Sequence, residues 1–173
     1  IAPAVRGAEQ HGLVSFLDNS VGSARMFQYC EPGKHMLAGV DVHPDSLDVV
    51  RDVVEKAGFS CDFEPCGMEK IRPRGFSVGL INPPFSIHLE SPTLEPFDCT
   101  AWGKFGNNTS AISQYYALAQ ALDACDVVVA VMPETAAVEL VDTGDLYLGD
   151  EHARLVACIK LPQGTFREEG TDV

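Results

Sequence analysis

The sequence predicts a doubly wound α/β domain built on a mostly parallel sheet. Three observations carry that expectation. Short apolar runs alternate with helix-like segments, the pattern of successive β-α-β units. Two of the runs, residues 13–18 and 36–41, end in a carboxylate, and the small-residue turn 19–24 follows the first. A third run, Phe76–Ile81, leads straight into Asn82-Pro83-Pro84-Phe85.

Taken in order, residues 13–18 read as the first strand. Gly22, in the turn after it, lets backbone come close to a ligand. Residues 22–29 carry a helical pattern, and residues 36–41 form the second strand. Asp41 lies about twenty residues past the turn, where an acid accepts hydrogen bonds from both hydroxyls of a ribose. Pro44–Lys56 is the clearest helix. Pro44 suits a first helical position, Asp45 favours the helix N-terminus, and Leu47, Val50 and Val54 share one stripe. Gly58 stops it. Residues 59–64 are a third strand and Phe76–Ile81 a fourth. Residues 86–107, with Pro92 and Pro96, are too long and irregular for a simple connection. A helix over 109–122, capped by Asn108 or Thr109, leads to a fifth strand at 127–132. A short helix at 133–141 and a sixth strand at 154–161 complete the expectation.

Asp18, Gly22, Asp41 and Asn82 thus fall at or just past the ends of successive strands. In an open parallel sheet that edge binds ligands. Two prolines after a strand end its ladder, because neither carries an N–H. They also stiffen the turn that holds Asn82 and Phe85. An amide oxygen and a proline carbonyl there can accept from an amino group on a planar ring, with Phe85 stacked on its face.

These residues carry a family resemblance that covers nearly the whole chain. Residues 16–24 (FLDNSVGSA) resemble the FLDPSAGSG turn of the S-adenosylmethionine-dependent amino-methyltransferases, mainly the adenine-N6 class. Residues 39–44 (GVDVHP) are similar to that family's ribose-binding strand end, and Asn82-Pro83-Pro84-Phe85 to its catalytic motif. The tail, residues 127–133 and 153–166 (ARLVACIKLPQGTF), resembles the modification subunits of type I restriction systems. The resemblance implies a Rossmann-like class I methyltransferase fold lacking its last strand, in a fragment of a larger phage or plasmid protein. It implies S-adenosylmethionine as cofactor, held by Asp18, Asn19, Ser20, Gly22, Asp41 and Val42. It assigns Asn82, Pro83, Pro84 and Phe85 to catalysis. Methyl transfer to adenine N6 in DNA is the implied reaction. A glutamine amide and an RNA base are alternative acceptors, and a non-catalytic scaffold module is the alternative class.

Three positions depart from the pattern. Asn19 stands for the family's proline, and Ala24 for its second turn glycine, which a negative φ would accommodate. Cys66-Gly67-Met68 stands for a Cys-Gly-Asp whose acid contacts the cofactor adenine, with Glu69 as the neighbouring carboxylate.

Composition bounds the reading. The 173 residues suit one domain, 1–173, able to bury a real core. A net charge of −13, with only twelve Lys and Arg, disfavours nucleic-acid binding by this segment alone. DNA would therefore be gripped by other domains of the parent protein, such as a target-recognition or helicase-like part. No stretch is long enough to cross a membrane. Six cysteines without a C-x-x-C pair read as reduced, mostly buried thiols of a cytoplasmic protein, and the spacing points to no zinc site. Tyr115 and Tyr116 read as core, His88 as a solvated loop residue, and Glu31, Asp48 and Asp52 as solvated helix faces. Trp102 and Phe105 stand evenly between core and a base pocket.

Overall fold

A computed structural model describes residues 1–12, 14–89, 112–143, 145–148, 151–162, 164 and 165. The chain divides into two compact units, Ile1–Val131 and Met132–Val173. The expectations for Leu13, the 90–107 connection, Trp102, Phe105, an Asn108 or Thr109 cap and Phe166 lie outside the described residues.

The first unit is built on five parallel strands in the order β3-β2-β1-β4-β5. These are β1 (Ser15–Asp18), β2 (Met36–Val40), β3 (Ser60–Glu64), β4 (Phe76–Ile81) and β5 (Cys125–Ala130). The order reverses direction between β1 and β4, so right-handed crossovers place the connections on opposite faces. This is the doubly wound, Rossmann-like α/β arrangement that the alternating pattern predicts. Among the described residues no antiparallel strand extends the sheet beyond β5.

Alternation along the strands builds the two cores. Phe16, Leu37, Val78 and Leu80 pack with Leu47 and Val54 of helix α2 (Pro44–Lys56) and with Met26 and Phe27. Val5 and Ala8 of α1 (Ala2–Gln10), a helix the sequence pattern does not announce, join the same cluster. Leu17 and Ala38 point the other way, to Ala124 of α3 (Ser113–Ala124). Every residue from Ser113 to Ala121 is buried, so α3 is a central helix rather than an amphipathic surface one. Tyr115 and Tyr116 lie in this core, as their helix positions predict.

Several expectations are corrected. The helix over 22–29 shrinks to one 3₁₀ turn, Arg25–Phe27. Gly22 and Ala24, within the expected helix, both adopt a left-handed conformation just before it. The N-cap of α3 is Ile112, and the N–H of Ser113 donates to the Ile87 carbonyl at 2.8 Å, so backbone does the work of a capping side chain. Strand β5 begins two residues before its predicted start. Of the described cysteines only Cys30 is buried; Cys61, Cys66 and Cys125 are half-buried, and Cys158 is exposed. Glu31 sits in a turn, paired with Lys34, whereas Asp48 and Asp52 do lie on an exposed face of α2.

The second unit holds α4 (Glu134–Thr143) and an antiparallel hairpin, β6 (Asp145–Leu148) with β7 (Glu151–Arg154). The sixth strand expected at 154–161 is therefore displaced toward the N-terminus. Val156 and Ile159 are 90% and 80% exposed, and residues 155–160 pair with no described strand. A β-prone run becomes a strand only when a neighbour supplies the ladder. Beyond it the Thr165 N–H and hydroxyl both donate to the Pro162 carbonyl, forming a turn. No helix among the described residues is long and apolar enough to cross a membrane.

Candidate functional site

Because β1, β2 and β4 are parallel, Asp18, Asp41 and Asn82 emerge at the same edge of the sheet. The turn after β1 folds down against β2. The Val21 N–H donates to the Val40 carbonyl at 3.0 Å, and the turn passes so close to Gly39 that a Cβ there would strike the Asp18 carbonyl oxygen. Gly22, at φ +50°, donates its N–H to Asp41 Oδ2 at 2.8 Å. Asp41 Oδ1 accepts the His43 N–H at 2.9 Å. Asp41 thus clamps the turn to its own loop while remaining partly open to solvent, and Val42 beside it is exposed.

Asp18 has the opposite surroundings. It is fully buried, and its Oδ1 accepts from the Ser20 N–H at 2.9 Å and the Ser20 hydroxyl at 3.3 Å. Oδ2 is buried without a partner among the described residues. Burial pushes the carboxyl up to about 7; the Ser20 bonds oppose this, and the nearby Asp41 charge adds to it. Ala24 stands at φ +58°, not the negative φ expected of it. Glycine occupies such a conformation without strain, and alanine does so at a cost of about 1–2 kcal/mol.

Asn19 is also buried, and its side chain turns away from the edge. Its amide donates to the Ala117 carbonyl at 2.9 Å and to Gln120 Oε1 at 3.0 Å. After β3, Met68 is buried and Glu69 folds its carboxylate back over Gly67, beside the half-buried Cys66. Burial raises the Cys66 thiol above its usual range, with Glu64 adding to the effect.

The Asn82-Pro83-Pro84-Phe85 turn is held from α3. Asn82 is exposed, Pro83 buried and Phe85 half-buried. The Ser113 hydroxyl donates to the Pro84 carbonyl at 2.6 Å, and the Ser86 N–H donates to Gln114 Oε1 at 2.8 Å. The Ile87 N–H reaches Ser113 Oγ at 3.2 Å, and Ser86 is in the left-handed region at φ +60°. His88, exposed, bridges to Ile112. Sequence reasoning passes over Ser113, Gln114 and Gln120. Their one signal is polarity inside an otherwise apolar helix.

The edge therefore presents the partly exposed Asp41, a tight turn and the exposed Asn82, with Asp18 buried beneath the turn. Among the described residues no group of three His, Cys, Asp or Glu is placed to hold a metal ion. No family model matches the chain, and no curated protein matches it. Among solved structures, one reported for the conversion of a disulfide bond into a thioacetal group during echinomycin biosynthesis is similar over 53% of this chain at 21% identity, with a TM-score of 0.39. The match spans 41% of that structure's chain.

Proposed function

We propose that this chain transfers a methyl group from S-adenosylmethionine to an exocyclic amine, with adenine N6 in DNA as the acceptor. The observation that carries the proposal is the placement of Asn82, exposed in a turn whose Pro84 carbonyl is held by Ser113, on the same edge as the Asp18–Asp41 turn. The buried, unpartnered Asp18 oxygen and the acidic edge suit a cofactor bearing an ammonium and a sulfonium. When bound, that cofactor supplies a methyl group on an already activated leaving group.

The chain's own residues supply position and charge. Gly22 brings backbone close, and Asp41 offers its remaining acceptor capacity to a ribose. Asn82 Oδ1 and the Pro83 carbonyl accept from the amine and free its lone pair. They also stabilise positive charge building on that nitrogen in the transition state. Phe85 stacks on the ring, helping to offset the few kcal/mol of flipping a base from a duplex. Other domains of a longer protein supply the cationic grip on DNA, since this segment carries −13.

The −13 charge, with Ala24 strained in the cofactor turn, favours a second reading: a methyltransferase-like scaffold without activity. Calorimetry with S-adenosylmethionine separates the two. Methyl transfer requires saturable binding, weakened by about 1–3 kcal/mol in Asp41→Ala, which loses both the ribose acceptor and the Gly22 clamp. No binding at millimolar cofactor supports the scaffold.

A further inference from the structure

The cofactor turn is tied to a second loop by a buried pair of amides. Gln120 is fully buried, and Nε2 donates to the carbonyls of Met68 at 2.7 Å and Ile71 at 3.0 Å. Its oxygen accepts from Asn19, whose other amide hydrogen goes to the Ala117 carbonyl. Gln120 thus uses its two donors and its acceptor on chain segments that are 49 to 101 residues apart in sequence. An apolar side chain would fill the same space but would take the Gln120 donors away from the Met68 and Ile71 carbonyls, leaving Met68 only the long 3.4 Å bond from the Ile71 N–H. Such a pair fixes one arrangement of the segments it joins.

We infer that Asn19 and Gln120 are positioning residues that lock the turn after β1 and the loop 68–71 into one rigid wall of the ligand edge. The described hydrogen bonds link Asn19 to Met68 and Ile71 through Gln120. The ligand's identity rests on the methyl-transfer reading, but the mechanical coupling does not.

The test is amide hydrogen exchange on the folded chain, read at Gly22 and at Lys70 and Ile71. The variants are Asn19→Ala, the milder Asn19→Ser, and Gln120→Met, which keeps the volume. Exchange at Lys70 and Ile71 is expected to quicken about tenfold in Asn19→Ala, the scale of one lost buried hydrogen bond, while α2 stays unchanged. Gln120→Met should quicken both regions. If wild type binds S-adenosylmethionine, these variants should weaken Kd or KM by about tenfold and leave kcat within about threefold, because neither residue faces the reacting atoms. Unchanged exchange at Lys70 and Ile71 in folded Asn19→Ala and Asn19→Ser overturns the inference. If wild type binds no cofactor while exchange still spreads from Asn19 to Lys70 and Ile71, the methyl-transfer reading fails and the positioning role stands.

Discussion

The turn after β1 and the turn after β4 sit on the same edge of the sheet and both bond to α3, but the first adds local bonds of its own. The first combines short-range bonds with a long-range anchor, Asn19 bonding to Ala117 and Gln120 of α3. Ser20 returns to Asp18 across two residues, and Gly22 meets Asp41 across nineteen. The second is fixed from a distance, with Ser86 meeting Gln114 across 28 residues and Pro84 meeting Ser113 across 29. The turn after β1 thus has local bonds beside its anchor on α3, and it buries a carboxyl whose pKa is raised. The turn after β4 takes its described side-chain bonds from α3.

The largest expected effect sharpens the first half of that comparison. Folding moves the Asp18 carboxyl from 3.8 to about 7, so the folded chain holds a proton that the unfolded chain releases. Stability should therefore be greatest below about pH 4 as far as this group is concerned, and fall as pH rises to about 7. The total loss is on the order of 4 kcal/mol. Asp18→Asn should flatten that slope in urea titrations taken from pH 4 to 8. An unchanged slope would show that Asp18 is ionised at little cost. A cationic ligand needs the ionised carboxyl, so its affinity should rise through the same window.

A smaller effect tests the backbone of the same turn. Ala24→Gly removes the left-handed alanine and should stabilise the fold by about 1 kcal/mol, less than the full strain because glycine gains freedom when unfolded. Thermal melts measure it. Destabilisation would mean that Ala24's methyl contributes more in packing than its conformation costs.

The difference between the turns also explains how much was legible in the sequence. Strand ends, the Pro44–Lys56 helix and the Gly22–Asp41 spacing follow from local patterns, because the residues that define them are close in sequence. The support from α3 was not legible. Asn19 reads as a turn residue facing cofactor, and only the fold brings Gln120 to it from 101 residues away. The run 154–161 fails for a related reason: alternation marks a capacity for pairing, and the partner decides whether a strand forms. At 22–29 a helical pattern yields to two left-handed residues, Gly22 and Ala24.

The central claim is that Asn82 acts on the acceptor amine, while the proposed cofactor binds at the other turn of the same edge. The most direct measurement is tritiated methyl incorporation into adenine-containing DNA by the full-length protein, wild type against Asn82→Ala, with cofactor affinity measured in parallel. The account predicts a loss of about a hundredfold to a thousandfold in rate with affinity for S-adenosylmethionine nearly unchanged. Wild-type activity in Asn82→Ala would contradict it.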